Sequence, residues 1–221
     1  MHSFDYGDTA RTLQDRFDTR RLADALLQVI VHDELTDADQ AFIAAQDMFW
    51  LASVDAKGAP TVSYKGGAPG FVHMPDARTL LFPCYDGNGM FYSMGNVAAT
   101  SEVGLLFMNF EKPFRLRVQG RARLTDDPAQ VARFPGALFA VEVGITAIIQ
   151  NCPRYVHRMQ RVETSRYLPA ADGSQPIPGW KRIDAIQPVL AARDQDKADT
   201  DGGLITMDEW GAMAASGDPR A

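Results

Sequence analysis

The fold is decided by the stretch from Phe49 to Leu124, which reads FWLASVDAKGAPTVSYKGGAPGFVHMPDARTLLFPCYDGNGMFYSMGNVAATSEVGLLFMNFEKPFRLRVQGRARL. Short runs of apolar and alternating residues are separated here by Gly, Pro and Asp, which is typical of consecutive β-strands joined by turns. The pattern predicts strands around a Gly-rich turn, then a short helix, then two long strands. We therefore expect a mainly β fold, a barrel with flanking helices.

The same periodicity, followed along the whole chain, predicts the other elements. Strands are expected at 48–54, 60–64, 71–74, 79–82, 102–109, 114–124 and 137–149. Helices are expected at 8–31, from 36 or 37 to 46, at 88–97, 126–133 and 207–215, with one or two helical turns within 151–161. We therefore divide the chain into an N-terminal helical extension (1–47), a barrel domain (48–168) and a C-terminal extended arm with a short helix (169–221).

Composition limits the classes of function. The chain has 221 residues and a net charge of −6, which disfavours non-specific nucleic-acid binding because that needs clustered cations. No apolar run reaches the roughly 18 residues of a membrane span, and no secretory signal opens the chain. Two cysteines make no disulfide framework, which predicts a reduced, cytoplasmic location. The four histidines are too dispersed to form a metal site. The tail at 199–209 does not match the ligand pattern of a calcium loop, so no metal is expected there either.

The first candidate site is the string Ser63-Tyr64-Lys65-Gly66. Side chains two apart on a strand point to the same face, so the Ser63 hydroxyl and the Lys65 ammonium should lie together. Gly66 and the glycine after it would let a ligand approach the backbone. This arrangement suits a phosphate or the polar edge of a flavin. The alternative is a solvated strand end followed by a turn.

The second candidate site is Asn88-Gly89-Met90 with Ser93. Free backbone N–H groups at the start of a helix attract phosphate, and the Asn88 and Ser93 side chains can add hydrogen bonds. The alternative is an ordinary helix cap by Asn88. Because this string also follows a strand end, both candidate sites can sit at one mouth of the same barrel.

Two further sets of candidate functional residues, four arginines and one cysteine, lie later in the chain. Arg115, Arg117, Arg121 and Arg123 alternate with apolar residues and should share one face. One of them could hold a ligand anion, or they could form a solvated or dimer-facing stripe. Cys152, after the apolar strand, is either a nucleophile with a lowered pKa or a packed thiol.

Taken together, the strings at 60–72, 87–96 and 115–122, with Asn151-Cys152-Pro153-Arg154-Tyr155, resemble the pyridoxamine 5'-phosphate oxidase-like flavoproteins. The resemblance implies an FMN-binding split β-barrel and a homodimer whose two subunits share the FMN cleft. It implies that Ser63 and Lys65 line the flavin or its phosphate, that Asn88, Gly89 and Ser93 lie at the phosphate end, and that Arg117 is a nearby cation. Asn151 and Cys152 would come from the partner subunit. The candidate cofactor-binding residues are Ser63, Tyr64, Lys65, Gly66, Asn88, Gly89, Met90, Ser93, Arg117, Asn151 and Cys152.

The function that follows is an FMN-dependent oxidoreductase of unknown substrate, with no catalytic residue assigned. The tail lacks the Arg-x-His type of signature found in true pyridoxamine phosphate oxidases, so vitamin B6 oxidation is not expected. NAD(P)H is a possible electron donor, docking transiently because no G-x-G-x-x-G follows a strand. The alternatives are a non-catalytic flavin- or haem-binding module, acting as carrier or sensor, and a deazaflavin-dependent reductase. The apolar strand at 137–149 also favours a homodimer, because one small core does not readily cover it.

Overall fold

The computed structural model describes residues 4–221, so the first three residues of the predicted helical extension at 1–47 lie outside the described residues. The chain forms two compact units, one through Gln160 and one from Arg161 to Ala221. The described residues of the first unit form eight strands: β1 (Val31–His32), β2 (Met48–Val54), β3 (Pro60–Gly66), β4 (His73–Asp76), β5 (Thr79–Tyr85), β6 (Glu102–Asn109), β7 (Phe114–Thr125) and β8 (Ala137–Asn151). Its helices are α1 (Gly7–Arg16), α2 (Arg20–Ile30), α3 (Asp37–Ala44), α4 (Tyr92–Thr100) and α5 (Pro128–Val131). The predicted mainly β architecture with flanking helices is confirmed.

The strands form one antiparallel sheet in the order β3-β2-β6-β7-β8-β5-β4, with β1 added beside β8. β3 is an edge strand of this order, and β5 lies near the opposite edge. The ends of β3 and β5 nevertheless line the same cavity, so the sheet curls towards itself. The result is a barrel that stays open between these two strands.

The core of the barrel is built around Phe49 of β2. Its ring centroid lies 5.0 Å from that of Phe82 on β5, 5.2 Å from that of Phe107 on β6, and 5.7 Å from that of Phe71. All four side chains are buried. Burial of a side chain of this size stabilises the fold by about 1.5–3 kcal/mol relative to leaving it in water. Because the four residues come from different parts of the chain, this cluster holds the curled sheet together.

Several predicted boundaries differ from those of the structure. The expected helix at 8–31 is interrupted, because Asp18 has a φ of 51° and the chain starts a second helix at Arg20. The turn between β4 and β5 lies at Ala77 and Arg78 rather than at Pro75-Asp76. The Asp76 carboxylate accepts hydrogen bonds from the Arg78 backbone N–H (2.7 Å) and the Thr79 hydroxyl (3.0 Å), which fixes that turn.

The predicted capping box at the start of α3 is confirmed. The Thr36 hydroxyl accepts a hydrogen bond from the Asp39 N–H at 3.2 Å, and the Asp39 carboxylate accepts one from the Thr36 N–H at 2.9 Å. These bonds satisfy two backbone donors that a helix start leaves free. The α3 helix then leads through a short connection into β2, the strand that carries Phe49.

The second unit consists of short helical segments. Four 3-10 helices span Gly179–Arg182, Asp184–Val189, Ala192–Asp194 and Ala198–Asp201, and they precede α6 (Met207–Ser216). A buried ion pair joins Lys181 Nζ to Asp194 Oδ2 at 2.8 Å. The predicted helix at 207–215 is confirmed, whereas residues 152–161 form no helical turns. Within the span 4–221, none of the helices has the length and apolarity needed to cross a membrane.

The close contact between Gly67 and Phe71 generates a stability prediction. A Cβ atom at Gly67 would lie 2.2 Å from Phe71 Cγ, so the buried ring, which stacks on Phe49 at 5.7 Å, would have to shift. We expect Gly67→Ala to reduce the free energy of unfolding by about 1–3 kcal/mol, the usual cost of overpacking a core. Urea denaturation followed by circular dichroism measures this change.

The matched control is Gly95→Ala. Gly95 lies in α4 on the surface, and a Cβ atom there meets nothing within 4 Å. Alanine in a helix interior is favoured over glycine by about 0.5–1 kcal/mol, so this variant should be as stable as the parent or more so. Equal stability of the two alanine variants would contradict the proposed role of Gly67.

Candidate functional site

The candidate site is a cavity of about 220 Å³ at the open seam of the barrel, between the ends of β3 and β5. It is bounded by one cationic, one carboxylate and one thiol side chain, by aromatic rings and by backbone. The lining residues are Tyr64, Lys65, Gly66, Phe82, Pro83, Cys84, Tyr85, Asp86, Gly87 and Met94. Phe82 belongs to the aromatic core, so the floor of the cavity is the edge of that core.

Lys65 is the central polar group of the cavity. In the β2–β3 register it lies opposite Phe49, which explains why the barrel buries most of its side chain. Burial lowers the pKa of Lys65, because a charged ammonium loses hydration there. Its Nζ donates a hydrogen bond to the Ser93 hydroxyl at 3.3 Å, and the described part of the chain gives it no carboxylate partner. A part-buried cation without a counter-ion attracts an anionic ligand.

Helix α4 places Ser93 beside Lys65. Asn96 donates a hydrogen bond from Nδ2 to Ser53 Oγ at 3.2 Å, and the Thr100 hydroxyl donates one to the Val54 carbonyl at 2.8 Å. Both partners belong to β2, so α4 is held against the strand next to β3. The position of the Ser93 hydroxyl is therefore set by two hydrogen bonds that do not involve the cavity.

The remaining residues of the first candidate string divide between the two faces of β3. Ser63 lies on the same face as Lys65, and its Oγ is buried without a hydrogen-bond partner among the described residues. Tyr64 lies on the opposite, outer face and its side chain is exposed, while its ring lies against Gly66. An unsatisfied buried hydroxyl costs free energy, and Ser63 does not line the cavity formed by the described residues.

The second candidate string does not form a helix start, contrary to the prediction of a helix from Asn88. Helix α4 begins at Tyr92, and its preceding residue Phe91 has a φ of 47°, a left-handed conformation. Asn88 instead closes a turn, because its Oδ1 accepts a hydrogen bond from the Met90 N–H at 3.1 Å. Gly89 and Met90 are exposed in this loop. The loop lies beside the cavity, which Gly87 lines, but it offers no row of helical N–H groups.

The arginines of β7 share one face as predicted, and most of them have partners. Arg115 Nε donates to the Cys152 carbonyl at 3.0 Å, Arg121 pairs with Glu102 at 2.8 Å and Arg123 with Glu142 at 2.8 Å. Arg117 is exposed and has no ion-pair partner in the described part of the chain. It is therefore the arginine of this face that is available to an external anion.

Asn151 and Cys152 lie at the end of β8, and neither of them nor Arg117 lines the cavity formed by the described residues. The Asn151 Oδ1 atom is buried without a hydrogen-bond partner among those residues. The Cys152 thiol is exposed, and its Sγ accepts a hydrogen bond from the Arg154 N–H at 3.3 Å. Within one protomer these residues and Lys65 therefore do not form a single site.

The sequence reasoning missed Cys84 and Tyr85, which line the cavity beside Lys65. Burial raises the pKa of the Cys84 thiol, with the Lys65 charge acting in the opposite direction, and burial also raises the pKa of Tyr85. Both groups are therefore neutral at pH 7. Both residues end β5 directly before Asp86-Gly87, but their position beside Lys65 depends on the curl of the sheet and is not visible in the sequence spacing.

The geometry agrees with a match to a protein family. The family model described as "Pyridoxamine 5'-phosphate oxidase" matches residues 35–159, more than half of the chain, and the chain belongs to this family. The predicted split-barrel fold is thereby confirmed, with its seam at the cavity between β3 and β5. A comparison with curated proteins found no significant match.

Solved structures with similar folds include three from bacteria. HupZ from Group A Streptococcus is 16% identical, with a TM-score of 0.43 over 57% of this chain and 99% of that one. HutZ from Vibrio cholerae, described as a haem storage protein, is 15% identical, with a TM-score of 0.39 over 53% and 95%. An FMN-binding protein from Syntrophomonas wolfei is 12% identical, with a TM-score of 0.39 over 66% and 98%. The family assignment comes from the sequence match.

The buried environment of Lys65 generates a prediction about pH. The ammonium form attracts an anion, so affinity for an anionic ligand should hold at low pH and decline as the pH rises through the lowered pKa. The Lys65 amine should titrate below the ordinary lysine value of about 10.4. Reductive ¹³C-methylation followed by NMR titration measures this, with Lys65→Arg identifying the resonance. A midpoint at or above the ordinary value would contradict the burial argument.

Proposed function

We propose that this protein binds FMN at the seam of the barrel and acts as an FMN-dependent oxidoreductase. The observation that carries the proposal is Lys65, a part-buried cation that lines the cavity and that, within residues 4–221, hydrogen-bonds the Ser93 hydroxyl and has no carboxylate partner. Flavin mononucleotide brings an anionic phosphate, which can supply the missing negative charge. Its N1–C2 ring edge offers hydrogen-bond acceptors and becomes anionic when the flavin is reduced. An apolar ligand would leave the Lys65 charge uncompensated.

The residues around Lys65 fit such a cofactor. The Ser63 Oγ atom lies on the Lys65 face of β3, buried without a partner among the described residues, although Ser63 itself does not line the cavity. Gly66 lines the cavity and presents backbone without a side chain. Bound FMN would supply the electron-transfer chemistry, while these side chains supply binding, orientation and a positive potential. NAD(P)H remains the proposed electron donor, docking only for the transfer.

We also propose that a second copy of the chain completes the site. The cavity of about 220 Å³ is smaller than the roughly 300–1,000 Å³ of typical ligand sites, so one protomer can enclose only part of FMN. The outer face of the sheet beside the cavity carries a row of residues in register. They are Tyr64, Trp50, Leu106 and Arg117 on four adjacent strands.

This outer face is suited to a second copy for two reasons. Its part on β3 is apolar, with Val62 and Tyr64 both exposed, and an exposed apolar patch marks an interaction surface. It also begins at Tyr64, which lines the cavity, so a copy docked there would close the open side of the site. Arg117 on the same face would bring a cation to the contact.

A haem-binding module is the second candidate. Cys84 and Met94 both line the cavity, and thiolate and thioether sulfurs are established haem ligands. The raised pKa of Cys84 works against the thiolate form. The absorption spectrum distinguishes the candidates, because haem gives a Soret band and oxidised flavin gives two bands in the near-ultraviolet and blue. A colourless protein that also refuses FMN would favour a deazaflavin-dependent reductase.

Substitution of Lys65 tests the cofactor site. Lys65→Ala removes a charge-assisted hydrogen bond worth about 1.5–3 kcal/mol, so FMN affinity should fall roughly 10- to 100-fold. Isothermal titration of the apoprotein with FMN measures the change. Lys57→Ala is the matched control, because Lys57 is exposed in the turn at the opposite end of β3. Unchanged FMN affinity in Lys65→Ala would rule out this site.

Substitution of Val62 tests the pairing of two copies. Val62 is 64% exposed on the outer face, so Val62→Glu should fold normally but place two charges within the contact. We expect the mass measured by light scattering to fall from that of a dimer to that of a monomer, with weaker FMN retention. Val189→Glu, at a site 81% exposed in the second unit, should leave both properties unchanged. A parent protein that elutes as a monomer would contradict the proposal directly.

A further inference from the structure

Helix α2 has a wider apolar surface than the chain itself covers. At about 100° per residue, its apolar side chains span an arc of roughly 200° around the helix axis. These residues are Leu22, Ala23, Ala25, Leu26, Leu27, Val29 and Ile30, and the polar ones on the remaining arc are Arg20, Arg21, Asp24 and Gln28. A surface helix typically needs about half of this arc to pack on a core.

Only one half of the apolar arc is turned inward. Ala23, Leu27 and Ile30, at successive spacings of four and three, are half-buried. Leu22 and Val29 on the other half are 59% and 79% exposed, and Leu26 between them is also exposed. No side chain of α1 or α2 is buried among the described residues. We call Leu22, Leu26 and Val29 the α2 stripe.

Charged residues of the hairpin formed by α1 and α2 form ion pairs with one another. Arg11 pairs with Asp24, and Arg20 pairs with Asp15, each at 2.5 Å. Both ion pairs join α1 to α2. The α2 stripe remains exposed. An isolated helix of 11 residues is only marginally stable in water, because most of the stability of a short helix comes from packing of its apolar face.

We propose that the α2 stripe packs against the same stripe of a second copy of this chain, around a two-fold axis. Leu22, Leu26 and Val29 form one ridge at the i, i+4, i+7 spacing that packs between neighbouring helices. A two-fold contact brings the same patch of both copies together, so the patch must be compatible with itself. The stripe itself carries no charge, and the nearby Arg20 and Asp24 are paired within each hairpin, so two stripes can meet without direct like-charge contact.

The chemistry of the hairpin favours a second copy over a membrane surface. Residues 4–30 contain five aspartates and four arginines and no lysine, whereas helices that lie on membranes are rich in Lys and Arg. The stripe also adjoins the outer face of the sheet. Val31, directly after α2, pairs with Ile149 of β8, and Ile149 lies opposite Arg117 in β7. The stripe therefore extends the sheet face that we propose for pairing, and the inference rests on that pairing.

Cysteine cross-linking tests the proposal at a single position. Val29→Cys, in a Cys152→Ser background that removes the exposed native thiol, should form a disulfide-linked dimer under mild oxidation. Gln28→Cys is the matched control, because Gln28 is the preceding residue but lies on the polar arc. A cross-link at position 29 and little at position 28, on a non-reducing gel, is the expected result. Equal cross-linking at both positions, or none at position 29, would overturn the proposal.

A charge substitution gives an independent measurement. Val29→Glu should raise the dissociation constant of the dimer by roughly 100-fold, because both copies lose a buried valine and gain a charge at the contact. Gln28→Glu should leave it unchanged, and sedimentation equilibrium measures both. If Val62→Glu separates the copies while Val29→Glu does not, the α2 contact is wrong and the sheet pairing stands. FMN affinity is measured for Val29→Glu at the same protein concentrations. A failure of the α2 contact and a failure of FMN binding are then observed in separate measurements.

Discussion

The structure of the first unit depends on the packing of Phe49 against Phe71, Phe82 and Phe107. An antiparallel sheet in this strand order has two free edges and would remain open without a contact across its interior. Phe49 on β2 and Phe82 on β5 belong to strands near opposite edges, and their rings meet at 5.0 Å. This contact curls the sheet and brings the ends of β3 and β5 together, so it also creates the cavity.

The same packing explains the chemistry of the cavity. Lys65 lies opposite Phe49 in the β2–β3 register, so its side chain points to the same interior that the aromatic cluster fills, and burial there removes water from it. Desolvation lowers the pKa of Lys65 and strengthens its attraction for an anion, because the local dielectric constant is low. The hydroxyl of Ser93 compensates only part of the lost hydration. The cavity therefore depends on packing of the core. A substitution that loosens the aromatic cluster should also change the shape of the cavity.

Periodicity was sufficient to predict most of the strands, because alternation along 48–54, 102–109 and 114–124 reflects burial of one face. It was insufficient where a single backbone conformation decides the outcome. The left-handed φ of Phe91 delays α4 by four residues, and that of Asp18 divides the first helix, and neither residue type favours this conformation strongly enough to be predicted. Cys84 was missed for another reason. Its proximity to Lys65 depends on curling of the sheet, which sequence spacing does not contain.

Alternation along β3 links the proposed cofactor binding to the proposed pairing of two copies. Ser63 and Lys65 face the interior, whereas Val62 and Tyr64 face outward, so one strand of seven residues serves both the cavity and the proposed contact. A register slip of one residue would exchange the two sets and place Tyr64 inside and Lys65 outside. The seven paired positions between β2 and β3 prevent that slip. The proposed anion site and the proposed contact share this one register. A second copy docked on the outer face would therefore also fix the orientation of Lys65. By the same coupling, an anion bound at Lys65 should stabilise the pairing of the two copies.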